Sequence, residues 1–111
     1  MQVEAKSNCL IRLTQGLFTE VDAEDVKWIS RYKWYAKRNT SKSEEFGKYY
    51  AARGKRVDGT TITIYMHRQI VGCPEDKEVD HKSGNSLCNK RENLRICTRS
   101  QHNSYRESRG I

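Results

Sequence analysis

Residues 79–103 read VDHKSGNSLCNKRENLRICTRSQHN, and this stretch decides the architecture of the C-terminal third. KEVDHK reads as a short strand whose apolar content is Val79 alone, and Ser83-Gly84-Asn85 as a turn. Leu87 and Cys88 offer a small anchor, and NLRICT is a second strand with Leu94 and Ile96 inward. Residues 98–101, T-R-S-Q, fit a capping box, in which Thr98 covers a free N–H and Gln101 reaches back. The helix that begins there, RSQHNSYRESR, has His102 at its fourth position and almost no apolar stripe beyond Tyr105. Packing alone is a poor account of why such a helix stays docked, so something else should hold it.

The chain is 111 residues long and 35% apolar, with a mean hydropathy of −0.94. That predicts one small domain with a thin core. No run approaches the ~18 apolar residues of a membrane span, and the start, MQVEAKSN, lacks the apolar stretch of a secretion signal. The expectation is a soluble intracellular protein. The cysteines at 9, 73, 88 and 97 include no C-x-x-C pair. They read as small buried apolar residues, with a Cys/His zinc site as the alternative.

Charge is distributed unevenly. Residues 1–26 carry two basic and five acidic groups, whereas residues 27–56 carry ten basic and two acidic, a net of +8. Residues 57–81 return to −3, and 82–111 carry seven basic and two acidic groups. Two positive blocks separated by acidic ones describe a surface shaped for an anionic ligand.

The first two thirds predict a small, mostly antiparallel sheet with a short helix. CLIRLT and LFTEVD read as two strands around a tight turn at Gln15-Gly16. Asp22 is positioned to cap a helix over DAEDVKWIS, with Val26 and Ile29 inward. In RYKWYAKR, Tyr32, Trp34 and Ala36 fall on one face and Lys33, Tyr35 and Lys37 on the other. KYYAAR is a further strand, and a turn through Asp58-Gly59 leads to TTITIYM, with Ile62, Ile64 and Met66 sharing a face. HRQIVG is a short helical turn ended by Gly72. Seven of the ten aromatic residues lie between positions 27 and 56. Trp28, Trp34 and some tyrosines read as core, while the face bearing Lys33, Tyr35 and Lys37 is better placed to meet phosphates.

In the C-terminal third, strand, loop, strand and helix bring Asp80 beside the first turns of the helix. Asp80 and His102 can then share one divalent ion, and a shell completed by water and phosphate oxygen would suit Mg²⁺ or Mn²⁺. His81 follows Asp80 directly, so its side chain diverges from the carboxylate. That divergence is useful for phosphodiester cleavage, because attacking water and leaving oxygen lie in line on opposite sides of phosphorus. An imidazole with an ordinary pKa near ~6.5 is neutral enough at cellular pH to accept the proton.

These residues, VDHKSGN…NKRENLRICTRSQHN, closely resemble the HNH endonucleases, which share the ββα-metal site. The chain looks most like the phage and intron-encoded homing branch, in which an Asp–His pair opens the motif. The upstream IRLTQGLFTEVDAEDVKWISRYKWYA…YYAAR…TITIYMHRQIVG also looks like the sheet preceding the motif in phage and bacterial members. By that resemblance Asp80 and His102 are metal ligands, and His81 is the general base. Asn93 is the middle residue, which bonds backbone to hold the loop and orient His81. Many relatives in this branch have Asn where His102 stands. Arg106, not His, lies one turn after His102, which departs from the three-histidine centre of the bacterial toxin nucleases. Only two protein ligands are evident, so the resemblance implies weak metal binding without DNA.

The expected fold class is α+β: a basic, aromatic, β-rich part over residues 1–72, then a ββα-metal motif over 73–111, forming one compact unit. The expected activity is metal-dependent hydrolysis of double-stranded DNA to 5′-phosphate and 3′-hydroxyl ends. One site per chain favours nicking by a monomer, and the homing branch implies the cytoplasm of a bacterial host. Lys33, Tyr35, Lys37, Arg99 and Arg106 are the expected DNA contacts, and His67 is expected to be structural or DNA-contacting. A DNA-binding module with a vestigial site and a zinc-stabilised interaction domain are the competing classes.

Overall fold

The computed structural model describes residues 9–40 and 47–109, with side chains as far as Tyr105. Strands β1 (Cys9–Arg12) and β2 (Phe18–Val21) pair antiparallel, with Arg12 opposite Phe18. The turn between them holds Gln15 and Gly16 at φ 63° and 74°, the left-handed pair that matches the twist of a tight hairpin. The turn also serves the neighbouring sheet. Gln15 Nε2 donates to the Ala36 carbonyl at 3.2 Å, and Thr14 Oγ1 accepts the Ala36 N–H at 3.0 Å. These bonds cover the outer edge of β3 (Tyr35–Arg38), which would otherwise present unpaired backbone.

Helix α1 (Ala23–Ile29) buries Ile29 completely and packs Val26 against the core. Asp22 stands at its N-cap position, but its carboxylate accepts the Arg91 N–H at 2.8 Å instead of making a cap bond. The expected capping role is therefore corrected: a backbone donor far along the chain takes the carboxylate. After the helix, Trp34 Nε1 donates to the Ile29 carbonyl at 2.8 Å.

β3, β4 (Tyr49–Val57) and β5 (Thr60–Tyr65) form an antiparallel sheet in that order. The N-terminal strands thus make two separate sheets, not one. Asp58 and Gly59, at φ 50° and 81°, close the β4–β5 hairpin. Its far end reaches beyond the core, so Ile62 is 42% exposed despite its apolar side chain. Met66 does not share its strand face. It opens helix α2 (Met66–Val71) and is fully buried, and Gly72 at φ 63° ends that helix. Arg68 of α2 donates to the carbonyls of Lys77 and Pro74 at 3.0 and 2.8 Å, pinning the connection to the next strand.

β6 (Glu78–His81) and β7 (Leu94–Cys97) pair antiparallel, with Asp80 opposite Arg95 and His81 opposite Leu94. A 3-10 turn over Arg91–Asn93 leads into β7, and α3 (Arg99–Arg109) follows it. Val79 and Leu94 join the core, but Ile96, expected inward, is 44% exposed while Cys97 is buried. The core is Leu13, Val21, Ile29, Trp34, Met66 and Ile70 with smaller neighbours. The architecture is α+β, and the named strands of the described residues all pair antiparallel, while a single parallel bridge joins Glu20 of β2 to Cys88.

Candidate active site

The long connection between β6 and β7 is built on side-chain amides. Asn93 Oδ1 accepts the Ser83 N–H and its Nδ2 donates to the Cys88 carbonyl, both at 2.9 Å. One side chain thereby ties the two ends of the loop. The middle of the loop lies along β2: Glu20 N–H donates to the Leu87 carbonyl, and Asn89 N–H to the Glu20 carbonyl. Arg91 is held from below, its Nε and Nη2 bonding both oxygens of buried Asp25 at 2.9 and 2.8 Å. That pairing, above all, holds the Asp25 carboxyl below the usual carboxylate range.

This frame fixes His81, which ends β6 and is buried. Its Nε2 lies 2.9 Å from Asn89 Oδ1. Fully buried Asn89 donates from Nδ2 to Thr19 Oγ1 at 2.9 Å, and Thr19 in turn donates to the Leu87 carbonyl at 2.8 Å. With the Asn89 amide oriented by Thr19, its oxygen faces the imidazole, so His81 Nε2 must be the donor. A neutral His81 then carries its lone pair on Nδ1.

Asp80 points the other way along β6. It is completely buried, and its Oδ2 accepts Arg95 Nε and Nη2, each at 3.0 Å. The guanidinium of Arg95 also stacks 3.4 Å from the centroid of the Tyr105 ring on α3. Asp80 Oδ1 lies 3.6 Å from His102 Nε2, too far for a hydrogen bond. The opposite nitrogen, His102 Nδ1, bonds Glu78 Oε1 at 2.6 Å, and Arg99 Nε bonds Glu78 Oε2 at 3.1 Å. The His102 bond, before any other influence, lowers the Glu78 pKa. The first turn of α3 carries the expected capping box, with Thr98 N–H on Gln101 Oε1 at 2.9 Å and Gln101 N–H on Thr98 Oγ1 at 3.1 Å.

The donor set fits a hard cation. With Nδ1–H given to Glu78, a neutral His102 turns its Nε2 lone pair toward a carboxylate oxygen, the carboxylate–histidine arrangement found behind many metal-bound imidazoles. Among the described residues, no group of three His, Cys, Asp or Glu side chains is placed to hold an ion. Water and substrate oxygens would have to complete the shell.

A cleft of about 550 Å³ opens beside these groups, with Lys37, Lys48, Tyr50, His67, His81 and His102 in its wall. Asp80, completely buried, is not among the residues of that wall. Of the expected DNA contacts, Lys37 lines the cleft, Tyr35 is half-buried on the same strand, and Lys33 is exposed just before it. Arg99 is exposed and paired with Glu78, and the side chain of Arg106 lies outside the described residues. The four cysteines are free thiols, and burial pushes those of Cys73, Cys88 and Cys97 up.

The structure thus brings Asp80, His81 and His102 together and adds four residues that the sequence does not single out: Asn89, Thr19, Arg95 and Glu78. Glu78 was legible, since it stands two positions before Asp80 and shares its strand face. Arg95 follows from the register once the two strands are paired. Asn89 had no signal to separate it from the other asparagines of the loop.

Residues 65–104 match the model of the HNH endonuclease family. The matched segment runs from the end of β5 through α2, β6, the asparagine-held loop and β7 into the first turns of α3. No curated protein and no solved structure matches the chain. No helix among the described residues is long and apolar enough to cross a membrane.

Proposed function

We propose that this chain is a metal-dependent endonuclease that hydrolyses phosphodiester bonds of double-stranded DNA, nicking as a monomer and leaving 5′-phosphate and 3′-hydroxyl ends. The observation that carries this reading is the placement of His81. Its Nε2 lies against Asn89 Oδ1 and the residue lines a cationic cleft shared with His102; in this reading Nε2 carries the proton and Nδ1 is the basic nitrogen. His81 Nδ1 takes the proton of the attacking water, and Asn89 Oδ1 continues to accept Nε2–H as the imidazolium forms. Asp80 and His102 would hold Mg²⁺ or Mn²⁺, which when bound supplies positive charge to the phosphoryl and departing 3′ oxygens.

Lys37 and Lys33, with Tyr35 between them, are proposed to track the DNA backbone on one side of the cleft, and Arg99 and Arg106 on the other. Residues 1–72 and 73–111 work as one unit in this reading, because Thr19 and Asp25 support Asn89 and Arg91. The Asp80–His81 pair at the start of the motif favours the phage- and intron-encoded homing branch, acting in the cytoplasm of a bacterial host.

Supercoiled plasmid incubated with Mg²⁺ tests the reading directly. Wild type should convert it to the nicked form, EDTA should stop the reaction, and His81→Ala should slow it ~10²–10⁴-fold, the usual cost of losing a general base. DNA affinity should be nearly unchanged in His81→Ala. A wild type that binds DNA and never nicks it would make the chain a DNA-binding module instead.

A further inference from the structure

Of the three histidines, His67 is the one to which the mechanism above gives no task. It is the second residue of α2, and its ring lies 4.9 Å from that of His81 at an interplanar angle of 62°. The Tyr50 and Tyr65 rings are each 5.6 Å away, and all four rings line the cleft. His67 Nδ1 is fully enclosed, with no hydrogen-bond partner among the described residues. Buried polar atoms are nearly always partnered, and an exception asks for a reason. A phenylalanine would make the same ring contacts without an orphaned nitrogen. An enclosed N–H is rarer than an enclosed acceptor, which assigns the His67 proton to Nε2.

We propose that His67 is a substrate-contacting residue, whose Nε2–H donates a hydrogen bond to a phosphoryl oxygen of the DNA strand seated in the cleft. The inference rests on the reading of this cleft as a phosphodiester site. A neutral donor is well suited to the position. Burial above all, then the nearby His81, Arg68 and His102, holds the His67 pKa well below the ordinary imidazole value, which favours the neutral ring. A permanent cation so close to His81 would oppose the imidazolium that His81 becomes on taking its proton. A neutral N–H supports the phosphate without that penalty, and the long-range attraction of the strand is left to the lysines.

The test uses the full chain with ¹⁵N-labelled imidazoles, a short DNA duplex in EDTA so that binding occurs without cleavage, and nicking assays in Mg²⁺. His67→Phe keeps the ring stack and removes both nitrogens, and its missing signals assign those of His67. Adding duplex should shift the His67 Nε2–H resonance downfield. At saturating DNA, His67→Phe should nick about 10–100-fold more slowly, the worth of one hydrogen bond to a charged group. His67→Gln, which keeps an N–H donor, should recover part of that loss. If His67→Phe nicks and binds like wild type, or the duplex binds without moving the His67 signals, the proposal is wrong while the nuclease reading survives. If wild type binds the duplex but never nicks plasmid, the nuclease reading fails, and the NMR titration alone decides the contact. If no duplex binds, both fail.

Discussion

In the proposed mechanism Asn89 bears directly on which nitrogen of His81 is basic. Asn89 is buried, and its amide is turned by Thr19 so that only its oxygen faces the imidazole. Asn89→Ala would leave His81 Nε2–H unpaired in a closed setting, at a cost of about 1–3 kcal/mol. It would also free the ring to exchange tautomers or rotate. Nicking should fall by about 10²-fold, the low end of what a misplaced general base costs, while the melting temperature drops and DNA affinity stays close to that of wild type. Rates, thermal scans and filter binding on this one variant separate the effects. An unchanged nicking rate would mean that the orientation of His81 is held elsewhere.

Among the elements, α3 is unusual in that its described side chains, Arg99 to Tyr105, dock almost wholly through polar groups. Glu78 bonds both Arg99 and His102, Arg95 bridges Asp80 and the Tyr105 ring, and the capping box starts the helix. The helix therefore does not depend on an ion to be held. Metal shared by Asp80 and His102 should add only modest stability, scaling with free ion concentration. Millimolar Mg²⁺, or less Mn²⁺, should raise the wild-type melting temperature slightly. His102→Ala should lose that shift and most nicking, and His102→Asn should retain some of both, because an amide oxygen still suits a hard cation. A full metal-dependent shift in His102→Ala would remove His102 from the ligand set.

Over the whole molecule, the ion pair of Asp25 and Arg91 joins α1 to the turn that leads from the β6–β7 loop into β7. The folded state lowers the Asp25 pKa, chiefly through Arg91. Its contribution to stability is thus complete above the unfolded carboxylate value near ~4 and is lost as pH falls through the folded value. Asp25→Asn should melt well below wild type at pH 7, and the gap should narrow as pH drops under ~4. Scans at pH 7 and pH 3 that show equal gaps would contradict this. The same scale governs encounter with DNA. The net charge is +7, concentrated in two blocks. Reversing Lys33 and Lys37 should weaken binding at low salt and lower the slope of log K against log salt by about 1 for each phosphate that is no longer neutralised. An unchanged slope would place DNA away from β3.

The sequence by itself determined what depends on residues a few positions apart. The turns at Gln15-Gly16 and Asp58-Gly59 and the stop at Gly72 follow from local backbone preference. The capping box of Thr98 and Gln101 closes within four residues. Asp80, His81 and His102 were legible as neighbours because one short strand, one loop and one strand carry the chain back on itself. Other features were decided only when distant segments docked. Asn89 meets Thr19 across 70 positions, Arg91 meets Asp25 across 66, and α2 sets the ring of His67 against that of His81. The same docking left Ile96 and Ile62 in solvent and drew the Asp22 carboxylate from its helix to Arg91. Polar partners of this kind have no period and no fixed spacing. They are chosen by which buried donors and acceptors the packed chain leaves within reach of one another, and only tertiary structure makes that choice.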